Sequence, residues 1–538
     1  MKKPAGISQS LQGLVRGLGG APEAEGRSQG ETGAPNGAPA ARRPLPRPAA
    51  GPAADLPRQI IVFDEQFYLE RNGDVRASVE SGTRTALDHF LAYGHSEGRA
   101  PNPHFLREYR GEIERVLVFQ DTVFVSGWLE VPLREARSAT LRFGPHSINI
   151  GESAFQYRRP DVCAAIGAPE HAKLGFAVLT RIELDPPVST EFTLRADGFG
   201  RILRPQYIQK AGDFLDDILK YLSYFSTVEG GLSGLYRIPP SFVAVLQSLF
   251  RTFVAESANP GKSITSSPAP KGRDCAVIFV QCGPLPLLPA IFHYLRSARH
   301  RMEVIVANNS RDYRAAALGV LNELETLYEI PWRYIEFDRN LGFSHACNVA
   351  ALATDAEHLV FHNNDVFTDE PADYDKVVDA LIAQPTGVVG VRQRFPSGGI
   401  MHDGLRVGRL DPVVTGGLDG VLSGISDGRG APPGEVAGPV FTSGSFLALR
   451  RDLFQSAGGF SGDYLFGHFE DLDLCLRLAE QGSATTILKD VAFIHCEGSG
   501  SAVPEHITRT VPVINRMIFT RRWQERTAPW FAGDDAHG

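Results

Sequence analysis

The sequence has 538 residues, 43% of them hydrophobic, with a formal net charge of -8 and a pI near 6.0. That length calls for about three domains rather than one core, and the acidic balance leaves no basic footprint for a nucleic-acid partner. No run approaches the roughly 18 uninterrupted apolar residues of a membrane span, and the opening MKKPAG lacks the apolar core of a secretory leader, so a cytoplasmic location is expected.

Six cysteines, Cys163, Cys275, Cys282, Cys347, Cys475 and Cys496, form no CxxC pair, and several lie in apolar runs where a thiol packs as a small hydrophobe. This favours a reducing compartment and no structural zinc. Residues 1–57 are Ala, Gly, Pro, Arg and Ser with almost no aromatics, and read as a disordered tail.

Residues 58–110 read as a small helical module. Aromatic and Leu residues fall at helical spacing from Phe63, and Asp88, His89 and Phe90 open a second segment that stops at Gly94. His89 and His95 among these aromatics read as packing or surface residues rather than ligands. The stretch resembles a module with the pattern YLxxNPDV followed by HFxxxGxxEGRxP, found beside catalytic domains in bacterial glycan-building enzymes and in some surface proteins. Gly73 stands where that pattern has Pro, and the module is assigned no chemistry.

Residues 111–205 hold short β-rich runs, VLVFQDTVFVSGWLEV, ATLRFGPHSINIG, GFAVLTRIEL and EFTLRADGFG, separated by turn residues as in a sandwich. GWLEVP, RRPDV (Arg158 to Val162) and Gly175-Phe176 resemble an accessory β-sandwich that precedes some bacterial glycosyltransferase domains. Carbohydrate binding and a spacer or docking role both stay open. Residues 206–270 read as a helical linker: Phe214, Leu215, Ile218, Leu219, Leu222 and Phe225 share one helical face, and a second helix starts at a Pro pair. A membrane-surface helix is the weaker alternative, because its polar side has few basic residues. NPGKSITSSPAPKGR marks a boundary near 270.

From 271 to 500 strands and helices alternate. CAVIFVQCG, MEVIVANNS, WRYIEFDRN and EHLVFHNNDVF read as strands, with LLPAIFHYLRSA, RAAALGVLNELETLY and HACNVAALATD as the helices between them. This predicts a largely parallel, doubly wound α/β sheet, whose ligands gather at the strands' carboxyl ends. There, in FHNNDVF, Asp365 is placed to hold a hard cation such as Mg²⁺ or Mn²⁺, with Asn363 and Asn364 beside it. An ordinary turn is the other reading of those residues. The Gly-, Asp- and Pro-rich stretch from about 398 to 438 reads as a lid or a disordered loop, with His402 and Asp403 near its start as solvated residues or acceptor contacts.

The ordered set VIVANNS, NLGFSHACN, HNNDV, TSGSFLALRRDLFQSAGGF, FGHFEDLDLCLRL and FIHCEGSGS, with NRMIFTRRW beyond it, resembles the family 2 glycosyltransferases of GT-A fold, in particular their bacterial rhamnosyltransferase-like branch. The resemblance implies a Rossmann-like nucleotide-diphospho-sugar transferase domain behind the sandwich and the helical module. It implies an inverting transfer from a nucleoside-diphosphate sugar, dTDP- or UDP-linked, to a glycan or lipid-linked acceptor in polysaccharide biosynthesis. Base and ribose fall to Asn308, Asn309 and Ser310, the donor diphosphate to Arg339, Asn340, Gly342 and Asn348, with Asn364 and Gly444 beside the sugar. Asp365 and His495 hold the metal, Asp471 is the general base and Glu470 orients it or the acceptor, while Asp473 is structural. Ala307 stands where the family usually has an Asp.

Residues 501–538 read as an amphipathic helical tail carrying Arg516, Arg521, Arg522 and Trp523, fit either for peripheral contact with the inner membrane or for packing on the catalytic domain. A non-catalytic glycan-binding or scaffold protein is the rival reading. A nucleotidyltransferase is more distant, since it has no need of the Glu470-Asp471 motif.

Overall fold

The structure, a computed structural model, describes residues 63–82, 84–94, 97, 99, 111–130, 140–143, 146–149, 154–182, 192–196, 199–203, 206–229, 231–257, 262–265, 273–310, 313–426, 434–498 and 502–532. The tail at 1–57, and His95, lie outside the described residues. The chain divides into two compact units, Met1–Leu106 and Arg107–Gly538.

In the first unit, helices span Glu65–Arg71, Gly73–Glu80 and Ala86–His89, followed by a π-helical turn at Phe90–Gly94. Two starts are capped by side chains, Asp64 accepting from the Phe67 N–H and Thr85 from the Asp88 N–H. Tyr68, Val75, Ala86 and Phe90 form its small core. His89 is occupied there, its Nδ1 lying 3.0 Å from the Tyr68 hydroxyl.

The second unit opens with two antiparallel-rich sheets, one of five strands that includes Gly111–Phe119, Thr122–Leu129 and Gly175–Arg181, and one of four. The helices Ala211–Val228 and Pro240–Ala255 follow. All six apolar residues of the first helix's predicted face are buried. That face joins the five-stranded sheet through a Tyr221–Tyr157 hydroxyl pair at 2.5 Å.

A ten-stranded sheet carries the rest. In space its strands run Lys262–Thr265, Trp332–Glu336, Met302–Asn308, Cys275–Gln281, His358–Asn363, Phe446–Arg450, Val388–Arg394, Thr485–His495 and Val366–Phe367, with Ile400–His402 beside Val388–Arg394. The four strands from Trp332–Glu336 to His358–Asn363 are parallel. Cys275–Gln281 and Met302–Asn308 among them are rich in Val, Ile, Phe and Ala and buried on both faces, as a parallel sheet covered by helices requires. Beyond them the sheet is mixed, since Phe446–Arg450 is antiparallel to both of its neighbours. The expectation of a largely parallel sheet therefore holds for one half only. Hairpin-like returns need no helical crossover, so apolar runs that read alike in sequence settle into either sense.

Two further expectations are corrected. Part of the supposed boundary linker, Lys262–Thr265, is an edge strand antiparallel to Trp332–Glu336. The supposed lid contains a three-stranded antiparallel sheet, Leu405–Leu410 between Leu422–Ser426 and Gly434–Phe441. The tail is a helix, Glu505–Phe531. It packs on the rest of the second unit, with Trp523 only 1% exposed and its Nε1 donating to Asp473 at 2.9 Å. Among the described residues no helix is long and apolar enough to cross a membrane.

Candidate active site

A cavity of about 640 Å³ opens at the carboxyl ends of the parallel strands. Of the residues singled out by sequence it gathers Asn340, Asn364, Asp365, Gly444, Glu470, Asp471 and His495. Asp365 sits in the short connection between His358–Asn363 and Val366–Phe367, and Val366 pairs directly with His495. The ladder therefore presents the carboxylate and the imidazole side by side.

Asp365 is 6% exposed, and its Oδ2 accepts the Gly498 N–H at 3.0 Å. Its Oδ1 is buried without a hydrogen-bond partner, although His495 Nε2 lies 3.2 Å away. His495 Nδ1 is 3.0 Å from the amide oxygen of Gln393. An oxygen there can only accept, so Nδ1 donates to it and Nε2 faces Asp365 Oδ1. Asp365 Oδ1 and His495 Nε2, side by side in a buried site, are two groups that could hold a cation. A carboxylate oxygen and an imidazole nitrogen suit Mg²⁺ or Mn²⁺. Among the described residues no group of three or more His, Cys, Asp or Glu side chains converges as a metal site.

Across the cavity, Glu470 and Asp471 are the first two residues of the Glu470–Glu480 helix. Asp471 Oδ2 accepts the Gly444 N–H at 2.6 Å, and Oδ1 accepts the Leu472 N–H at 2.7 Å. Both oxygens are thereby fixed, with lone pairs left over for a substrate hydroxyl. Glu470 is 5% exposed and its Oε2 has no hydrogen-bond partner. Burial, and then the charge of Asp471, push its carboxyl well above the usual carboxylate range. Asp473 faces away into a network of Tyr464, Trp523, Arg477 and Arg522.

Six residues assigned to the donor do not line this cavity. Asn308 is buried against the Tyr334 hydroxyl, and its Oδ1 accepts the Ser310 N–H. Asn309 bonds the Leu341 N–H and the Gly342 carbonyl, fixing the turn that follows. Arg339 pairs with Asp338 and lies over the Phe253 ring. Asn348 is used by the Phe460 backbone, accepting its N–H and donating to its carbonyl. Gly342 and Asn348 line a separate cavity of about 260 Å³. Ala307 is fully buried in its strand.

Other residues enter that sequence reasoning left in the background. His402 is 5% exposed rather than solvated, and lines the main cavity. Its Nε2 accepts the Ser443 N–H, and Nδ1 faces the Ser426 hydroxyl. Asp403, by contrast, is held in an ion pair by Arg392. His468, its basicity lowered by burial, also lines the cavity. Gln393, which orients His495, carries no sequence signal beyond its place in an apolar strand.

Residues 277–408 match glycosyl transferase family 2. The matched stretch contains Asp365, while the Glu470–Asp471 pair and His495 lie beyond it. With the sheet order, the match supports a GT-A-like fold. Among curated relatives, O-antigen biosynthesis protein RfbC of Myxococcus xanthus is 27% identical over 219 residues, covering 38% of this chain and 16% of that protein. Uncharacterized protein y4gI of Sinorhizobium fredii is 28% identical over 206 residues, covering 36% of this chain and 21% of the other. The chain thus spans about a fifth or less of the curated relatives it matches. Among solved structures, mannosyltransferase PcManGT from Pyrobaculum calidifontis, in complex with GDP-Man and Mn²⁺, is 14% identical with a TM-score of 0.31, covering 61% of this chain and 87% of that one. S. aureus TarS 1–349 is 13% identical with a TM-score of 0.29, covering 46% and 73%. At such TM-scores these likenesses carry no weight, and the fold rests on strand order and the family match.

Proposed function

We propose that the chain is an inverting, metal-dependent glycosyltransferase that moves a sugar from a nucleoside-diphosphate donor to a glycan or lipid-linked acceptor in bacterial polysaccharide assembly. The observation that carries this is the single cavity holding Asp365 with His495 on one side and Asp471 with Glu470 on the other. Asp365 and His495 would hold the cation, and the bound cation would supply charge neutralisation for the departing diphosphate.

In the reaction the acceptor hydroxyl attacks the anomeric carbon from the face opposite the diphosphate. The bond from carbon to the diphosphate oxygen breaks with its electron pair on the oxygen, and Asp471 takes the hydroxyl proton. The Gly444 and Leu472 amides fix the Asp471 carboxylate, so its free lone pairs keep one direction. Asn340, whose Oδ1 accepts the Gly342 N–H at 2.9 Å, shapes the donor-side turn. The donor base is left to experiment, because Ala307 offers it no carboxylate.

Calorimetric titration of UDP, dTDP and GDP, with Mn²⁺ and with chelator, tests the reading on wild type and on Asp365→Ala. One nucleotide should bind in a metal-dependent way and lose at least tenfold in affinity in the variant. Absence of binding by all three would favour the non-catalytic scaffold.

A further inference from the structure

The segment that delivers Glu470 and Asp471 has an unusual backbone. Phe466, His468 and Phe469 have φ of 52°, 80° and 73°, a left-handed conformation that side chains with a Cβ avoid. Such a run persists only where its surroundings hold it. Phe466 and His468 line the cavity, and the Phe466 carbonyl accepts the Phe343 N–H at 2.5 Å. One short loop therefore touches the donor-side turn at Gly342–Phe343 through Phe466 and, four residues further on, becomes the helix bearing the acceptor-side acids.

A single side chain from elsewhere binds the backbone of this loop repeatedly. Asn515, fully buried in the Glu505–Phe531 helix, accepts the Leu465 N–H at 2.9 Å through Oδ1. Its Nδ2 donates to the carbonyls of Leu465 at 2.8 Å, Gly467 at 2.6 Å and His468 at 3.2 Å. The two N–H hydrogens of one primary amide are shared among these three carbonyls, and the Leu465 carbonyl also accepts the Gly467 N–H at 2.5 Å. The helix is docked independently of it, by Trp523 on Asp473 and His506 on Asp216.

We propose that Asn515 is a positioning residue for transfer: its amide holds residues 465–468 so that Glu470 and Asp471 face Asp365 and His495. The catalytic unit then includes the Glu505–Phe531 helix as a working part. This rests on the proposed transferase function.

The test uses the full chain as wild type, Asn515→Asp and Asn515→Ala. Asn515→Asp keeps the shape and the acceptor but removes both donor hydrogens. Release of nucleoside diphosphate is followed from a panel of UDP-, dTDP- and GDP-sugars with Mn²⁺, alongside calorimetric binding of the matching nucleoside diphosphate and amide hydrogen exchange. A displacement of about 1 Å at the acids should lower kcat on the order of 10²-fold, with donor KM and nucleotide Kd within about threefold. Exchange should rise in 464–472 and stay unchanged in 505–531. Wild-type kcat in both variants, or kcat and nucleotide affinity falling together with loss of cooperative melting, would overturn the positioning role while leaving the transferase intact. If wild type neither binds a nucleotide nor turns over any donor, the transferase reading fails and the positioning role falls with it.

Discussion

Replacing Glu470 by Gln should stabilise the protein while weakening transfer, and both effects trace to one carboxyl. Its Oε2 is buried without a partner, and burial with the neighbouring Asp471 charge raises its proton affinity in the folded state above the ordinary carboxyl value of 4.5. Below that value both states are protonated and no penalty exists. As pH rises above it, the unfolded chain ionises while the folded one holds its proton, so stability is progressively lost up to the raised folded value. Gln keeps the volume and removes the ionisation. Each tenfold rise in the folded-state proton affinity costs about 1.4 kcal/mol once the unfolded group ionises, which for a unit of this size corresponds to a gain of roughly 1–2 °C in Tm at pH 8. Thermal melts of wild type and Glu470→Gln at pH 5, 6.5 and 8 should show the gap widening with pH, while nucleoside-diphosphate release falls. A lower Tm for Glu470→Gln at pH 8, or a gap equal at pH 5 and 8, would refute the reasoning.

Burial holds the His362 ring neutral, its pKa pushed down to about 4 from 6.5. An unfolded His takes its proton first, so stability should fall as pH drops from 6.5 towards 4, by about 3 kcal/mol at most. Urea unfolding at pH 7 and 4.5 should show a shallower pH dependence in His362→Gln, and parallel dependences would count against it. Gly342 has φ +86°, and a Cβ there would meet the Phe466 backbone at 2.8 Å. Gly342→Ala should cost on the order of 1–3 kcal/mol in stability. Gly398, at φ +93° with nothing within 4 Å, lacks that collision, so Gly398→Ala should cost less. Equal losses in Tm would show that the close approach to Phe466 is not what demands glycine.

Most of the parallel half of the sheet could be read from sequence because strands such as Cys275–Gln281 are buried on both faces and stay apolar throughout. The three-stranded sheet at 405–441 was hidden for the opposite reason. Its strands carry Gly408, Gly424, Gly434 and Gly438, which read as turns. At Gly438 the adjoining Trp530 of the C-terminal helix leaves no room for a Cβ, a long-range demand that local pattern cannot express. The site divides along a similar line. Asp365, Glu470, Asp471 and His495 stand at element ends within recognisable local patterns, and the cavity brings them together. Asn309 and Asn348 looked like donor contacts because amides at strand and helix ends suit either a ligand or a turn, and here the backbone uses them. Asn515 and Gln393 act through partners 47 to 50 and 102 residues away, a separation that no spacing rule reaches.

The ten-stranded sheet is open, yet it ends in the four residues of Lys262–Thr265 on one side and the two of Val366–Phe367 on the other. The parallel strands from Trp332–Glu336 to His358–Asn363, which lie behind the first of these, are paired along both sides. On that side an incoming chain that sought to extend the sheet would meet only the four residues of Lys262–Thr265, too short to template a stable pairing. A segment that resembles a linker thus serves as a stopper for one side of the sheet, without closing a barrel.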